Sequence, residues 1–132
     1  VFLGRHAILS CKNGDIVVED EANIGFNTVI FSASRVRVGR KGLIAAYTYL
    51  VGGDHLYDNV EVPVLDQGRT AAGIDIGDHV WLGAHVVVTD GSTVGRDAII
   101  GAGAVVVGAI PDYAIAVGTP AKVVRDRRSP QS

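Results

Sequence analysis

The chain of 132 residues has one cysteine, one tryptophan, four prolines and no methionine, and its charges nearly cancel at a formal −2. Each scarcity excludes something. With Cys11 alone there is no internal disulfide, and no Cys/His cluster has zinc-finger spacing, so a reducing compartment fits best. Without an overall positive field, nucleic acid and anionic membranes are poor partners, and the one basic run is Arg125, Arg127 and Arg128. Scattered Asp, Glu, Lys and Arg leave no apolar span of ~18 residues, and no charged n-region with an apolar stretch opens the chain. A cytoplasmic protein without a membrane partner is expected. The chain starts at Val1 without Met and its first fifteen residues are poorly periodic, which is what a missing N-terminal segment would leave.

Aliphatic residues and glycine are plentiful. The 17 glycines are nearly twice the usual ~7%, a mix that suits short strands separated by tight turns. The length allows one domain with one core.

The organising signal is a period of six. Hexads starting at Val18, Ile24, Ile30, Val38, Ile44, Leu50, Ile76, Leu82, Val88, Val94, Ile100 and Val106 all open on Val, Ile or Leu. A helix would place apolar residues at i, i+3, i+4 and i+7, so this spacing describes strand, turn, strand, turn. The fifth position is small or β-branched in Ala22, Thr28, Ser34, Thr48, Val80, Val86, Ser92, Ala98 and Ala104. The fourth carries Asn27, Gly53, His79, His85, Gly91, Asp97 and Gly103, types enriched where φ is positive. Three hexads make a triangular coil of eighteen residues, whose coils stack at the ~4.8 Å strand spacing. Coils begin at Val18, Val38, Ile76 and Val94. The first step holds two extra residues, and the second holds a twenty-residue excursion, about 56–75, that leaves an otherwise strict solenoid and is expected to be functional. The expected organisation is a single all-β solenoid over 1–132, with an irregular start at 1–15, that excursion, and a closing segment at 109–132.

The stretches Val80-Trp81-Leu82-Gly83, Gly101-Ala102-Gly103-Ala104 and Val117-Gly118-Thr119-Pro120-Ala121-Lys122, set in that repeat, resemble the hexapeptide-repeat acetyltransferase superfamily, in particular its maltose, galactoside and polysaccharide O-acetyltransferase-like branch. The likeness covers about residues 16–127. It implies a left-handed parallel β-helix, against the usual right-handed crossover rule, and a homotrimer with sites between subunits. It implies acetyl-CoA as acyl donor, a sugar or related small hydroxylated acceptor, and no metal.

Acyl transfer from a thioester needs a base for the acceptor proton, donors for the developing oxyanion and a cradle for the donor's long arm. His55 stands where the repeat gives way to the excursion, at the position that carries the family's catalytic histidine, and an imidazole pKa of ~6.5 suits the task. Asp54 or Asp58 could orient its ring. Ala84 and Ala102 are eighteen apart and should stack into a shallow lane for a pantetheine arm, while Gly118, Thr119, Pro120, Ala121 and Lys122 match the segment near the adenine and phosphates, with Arg125 as an assistant. Trp81, expected at an outward corner, either walls the groove or is buried against a neighbouring subunit. His55 lies seventeen residues past its coil start and Ala84 eight past its own. The difference of nine is half a coil, so base and lane should face opposite ways in one chain and a working site should need two.

Two other functions compete. Histidines also line zinc sites in γ-class carbonic anhydrases built on this fold, but the six-residue spacing of His79 and His85 puts them on adjacent faces, where corner duty explains them. A catalytically silent trimerisation module is the other.

Overall fold

The computed structural model describes residues 1–129; Pro130, inside the expected closing segment, lies outside them. Its architecture is a left-handed parallel β-helix of three faces. The first face stacks Phe2–Leu3, Asn23–Ile24, Leu43–Ile44, Trp81–Leu82, Ile99–Ile100 and Ala114–Val117, and ends on Lys122–Asp126. The second stacks Ile8–Cys11, Val29–Ser32, Tyr49–Gly52, Val87–Val88 and Val105–Val106. The third stacks Asp15–Val18, Arg35–Val38, Ile74–Ile76, Thr93–Val94 and Ala109–Ile110. The described helical structure is one 3₁₀ turn, Val64–Asp66, and no helix is long and apolar enough to cross a membrane.

The hexad starts explain the core. On the first face Ile24, Ile44, Leu82, Ile100 and Ala116 lie in register one above another. Ile30, Leu50, Val88 and Val106 do so on the second, and Val18, Val38, Ile76, Val94 and Ile110 on the third. Of the twelve starts, eleven are fully buried; Val18, near the first coil, is half-buried. The residue two before each start also points inward, which is why the fifth hexad position is small or β-branched. Ser34 departs from the expectation: the two extra residues carry Val36 into that interior place and leave Ser34 exposed. The buried hydroxyls are satisfied, Thr48 donating to the Ala45 carbonyl at 2.8 Å and Ser32 to that of Asp15 at 2.7 Å.

Corners recur every six residues in the left-handed conformation, at Glu21, Asn27, Lys41, Tyr47, His79, His85, Gly91, Asp97 and Gly103. Gly53 breaks the series, since the chain leaves the solenoid there instead of turning. Two boundaries and one placement also differ from the sequence expectation. Residues 1–15, without hexad pattern, still build strands of a first coil, because parallel pairing to Asn23–Ile24 and Val29–Ser32 holds them in place. The excursion starts earlier and ends sooner than 56–75: it is a hairpin whose strands Asp54–His55 and Arg69–Thr70 pair antiparallel, and Ile74–Ile76 is already back on the third face. Trp81 sits on the flat of the first face between Leu43 and Ile99, not at a corner, because the hexad start Leu82 must point inward and its neighbour therefore points out.

After Val117 the chain reverses and Lys122–Asp126 pairs antiparallel with Ala114–Val117, covering a parallel edge that would otherwise be open. Arg128 lies over the Tyr113 ring at 4.5 Å and binds Asp126.

Core truncation tests the row assignment. Leu82→Ala or Ile100→Ala should each cost ~2–5 kcal/mol, with a non-additive double substitution because the two stack directly. Urea titration reads both, and a loss below ~1 kcal/mol would contradict the shared interior. The closing strand supplies a pH test. The Asp126 carboxyl is held at about 2, below 3.8, by the Arg128 side chain and then by the Arg128 main-chain N–H. A depressed carboxyl keeps its folded-state bonds above its unfolded value and loses them as pH falls through about 2. An NMR titration midpoint at or above 3.8 would rule this contact out.

Candidate functional site

The excursion leaves and returns through two positions that accept only glycine. A Cβ on Gly52 would stand 2.7 Å from the Phe31 carbonyl oxygen, and one on Gly73, whose φ is +95°, would stand 2.6 Å from that of Arg35. Asp90 then pins the return. Its two carboxylate oxygens accept the main-chain N–H groups of Ala72 at 2.8 Å and Gly73 at 2.9 Å. Within the loop, Gln67 donates to the carbonyls of Asn59 and Val62 and accepts from the Asn59 N–H, so one side chain shapes the tip. The hairpin is thus built, and its position over the second face is set by the solenoid below it.

His55 is exposed on the outgoing strand, opposite Arg69 on the returning one. Directly opposed residues of an antiparallel pair project from the same side of the ribbon, so the imidazole and the guanidinium share a side. Asp54 and Thr70 form the adjoining pair, and Oδ1 of Asp54 accepts the His55 main-chain N–H at 2.8 Å. Asp54 therefore fixes the backbone at the start of the hairpin. Asp58 lies in the loop hollow with Leu56 and Gln67. Beneath His55 runs an open groove of about 340 Å³, floored by Phe31, Tyr49 and Val51 of the second face and walled by His55, Arg69 and Thr70. Only His55 and Asp54 in this groove were singled out from the sequence. Phe31, Tyr49, Val51, Arg69 and Asp90 carry no motif, although the outward place next to a hexad start flags Phe31, Tyr49 and Val51.

The lane exists and is longer than expected. Carrying the first-face register three residues on aligns Ala46, Ala84, Ala102 and Gly118 along the edge between the first and second faces. Main-chain bonds hold the stack, from His85 to the Ala46 carbonyl at 3.1 Å, Gly103 to Ala84 at 2.8 Å, Val105 to Gly118 at 3.1 Å and Ala121 to Val105 at 2.8 Å. Ala46 was missed because the excursion hides its relation to Ala84. Thr119 and Pro120 continue past Gly118 in the exposed turn, and Lys122 opens the last strand, also exposed. His85 leaves the lane edge and stacks on Tyr47, ring centroids 5.1 Å apart.

The expected half-coil separation of His55 from the row of small residues needs correction. The lane occupies the edge between the first and second faces, while His55 emerges beyond the far edge of the second. They bound the same face, one side of the triangle apart, because the hairpin takes His55 out of the solenoid before the third face, where its residue count would place it. Trp81 belongs to neither, lying on the first face and 47% exposed.

His79 and His85 stand at different edges, both at φ near +60°. Nδ1 of His79 is 3.3 Å from Asp97. Burial pushes the Asp97 carboxyl up, but the hydrogen bond from Arg96 and the charges of His79 and Arg96 outweigh it and hold it below its usual value. Among the described residues no group of three or more His, Cys, Asp or Glu could hold a metal ion.

The bacterial transferase hexapeptide pattern of six repeats matches residues 73–108. A Mycobacterium tuberculosis protein named as a probable acetyltransferase is 38% identical over 128 residues, which are 97% of this chain and 43% of that protein. The chain thus spans less than half the length of this curated relative. Among solved structures, AntD, an N-acyltransferase of Bacillus cereus in complex with dTDP and 3-hydroxybutyryl-CoA, superposes with a TM-score of 0.81 at 18% identity, over 96% of this chain and 72% of that one. A galactoside acetyltransferase in complex with coenzyme A does so with a TM-score of 0.68 at 26% identity, over 92% and 64%.

Asp90→Ala should free the return of the hairpin. Losing two charge-assisted bonds should cost ~1–3 kcal/mol and raise amide exchange at Ala72 and Gly73. Unchanged protection at both amides would show that Asp90 does not anchor the excursion.

Proposed function

We propose that this chain, which belongs to the hexapeptide-repeat acetyltransferase superfamily, transfers an acetyl or similar acyl group from acyl-CoA to a hydroxyl of a sugar or related small acceptor, with His55 as general base. The observation that carries the reading is the delivery of His55, on a braced hairpin, over an apolar groove open to a small molecule. Tyr49 and Phe31 offer ring faces against which the apolar side of a sugar packs. The galactoside acetyltransferase supports an oxygen acceptor, since a galactoside offers hydroxyls, and supports coenzyme A as carrier.

The residues fit a thioester donor. From Ala46 to Gly118 the lane holds no side chain larger than a methyl group, and a Cβ on Gly103 would meet nothing within 4 Å, so a narrow arm can lie close to the main chain. Thr119, Pro120 and Ala121 border its end, and the Lys122 ammonium is available to a phosphate there. His55 accepts the proton of the acceptor hydroxyl as its oxygen attacks the thioester carbonyl. Hydrogen-bond donors of the completed site receive the charge that builds on the carbonyl oxygen. As the C–S bond breaks, the imidazolium returns its proton to the leaving thiolate, which regenerates neutral His55 and balances the step. Asp54 acts through the backbone of His55, a positioning role.

Because the second face separates lane and base within one chain, we assign the complete site to two subunits of a homotrimer, with Trp81 of the exposed first face at a subunit boundary. The lone exposed Cys11 suits the reducing cytoplasm.

Purified protein supplied with acetyl-CoA and a panel of sugars and amines, read by thiol release and product mass, tests the reaction. His55→Ala should lower turnover ~10²–10⁴-fold with unchanged oligomer size by light scattering. Unchanged turnover would remove His55 from the mechanism, and a fully active monomer would remove the shared site.

A further inference from the structure

The His55 groove does not end at the hairpin. Past Arg69 and Thr70 it continues into a second hollow of about 630 Å³, lined by Lys12, Asn13, Ser34 and Ala71 together with those two residues and Ala33. The two hollows share Ala33, Arg69 and Thr70, so one molecule can span both. Their linings differ in kind. The first has an aromatic and aliphatic floor; the second has two cations, an amide and two hydroxyls.

Among the described residues, five of the twelve Lys and Arg side chains are held in ion pairs. Arg37 is bound by Asp75 and Asp78, Arg40 and Lys41 by Glu21, Arg96 by Asp97 and Arg128 by Asp126. Among the described residues Lys12 and Arg69 form no ion pair or hydrogen bond through their side chains. Asp54, on the facing strand, holds the His55 main-chain N–H through Oδ1, and Asp90, at the return of the hairpin, holds two main-chain N–H groups. Asp15 and Asp66, each three residues along the chain from Lys12 and Arg69, form no ion pair with them. Asp15 begins the strand after the Lys12 turn and is exposed. Two uncompensated cations converging on a polar hollow form a complement to an anion, and a guanidinium pairs with a carboxylate or phosphate through two parallel hydrogen bonds.

We propose that the acceptor is anionic, with its carboxylate or phosphate held by Arg69 and Lys12 in this hollow while its neutral, hydroxyl-bearing part lies on Phe31 and Tyr49 under His55. The proposal rests on reading the His55 groove as the acceptor site. Arg69 then serves as a specificity residue, placed beside the base by the hairpin register itself, and the hairpin couples recognition of the anion to the position of the imidazole.

Calorimetric titration with three matched probes, glucose, glucuronate and glucose 6-phosphate, tests the subsite without requiring turnover. At least one anionic probe should bind tenfold or more tightly than glucose, with affinity falling as salt rises. The two anionic arms tell carboxylate from phosphate. The preference should collapse toward unity in Arg69→Gln and Lys12→Gln, while Arg69→Lys, which keeps the charge, should retain part of it. Equal binding of all three probes, no measurable binding of either anion at millimolar concentration, or a preference that survives both glutamine substitutions would each overturn the proposal. Thiol release from acetyl-CoA in the same samples separates the two readings. Anion preference without thiol release leaves the subsite standing and removes the acyl transfer; thiol release with no anion preference does the reverse.

Discussion

Each coil is joined to the next by main-chain hydrogen bonds that run along the solenoid axis, and those bonds demand that like stand on like. Gly25 donates to the Ile44 carbonyl, Ala45 to that of Leu82, Gly83 to that of Ile100 and Gly101 to that of Ala116, each close to 2.9 Å. A residue that must occupy the same place in successive coils has little freedom of type. Inside the triangle it is Ile, Leu or Val, and at the corner it must tolerate a left-handed backbone. Ten non-glycine residues among those described do so, at a cost of roughly 1–2 kcal/mol for each ordinary side chain. The ladder on both sides of every corner offsets that cost, and the buried polar side-chain atoms among the described residues are all partnered.

A solenoid so tightly specified has no interior to spare for chemistry. Reactive groups must come from edges, from outward positions, or from an interruption. The hairpin is the interruption, and the molecule treats it as a built element: it is entered and left at glycines that admit no side chain, anchored by Asp90 and internally stapled by Gln67. The lane is the edge. Its smoothness follows from the corner geometry, where each coil's carbonyl accepts from the next and leaves only methyl groups or hydrogens facing out. His55 and the row of small residues border one face from opposite sides.

The twelve aliphatic starts predict the faces, the core and the stacking, and eleven of those residues are fully buried. The same periodicity placed the corner histidines correctly. It failed where the period was interrupted. Ser34 and Val36 exchanged roles because two inserted residues do not announce which side of the corner absorbs them. Residues 1–15 looked irregular because they lack the aliphatic hexad starts, and Phe2, Leu3 and Ile8 stand half exposed in the structure. Trp81 was set at a corner when the inward place of Leu82 requires it on a flat.

His55 and Asp54 were legible as the point where the repeat stops, and Ala84 and Ala102 as a pair eighteen apart; those follow from chain order alone. Arg69, Lys12, Phe31 and Tyr49 belong to the groove only through folding. Thirteen residues of loop separate His55 from Arg69, and a coil separates Lys12 from Ala33, so neither pair has a spacing to recognise. The amino-acid sequence by itself determined the periodic part of this protein, because a six-residue repeat leaves one way to bury its aliphatic row. The tertiary structure alone decided which cations meet beside His55, because a hairpin's antiparallel register and a coil's stacking bring together residues that no local pattern relates.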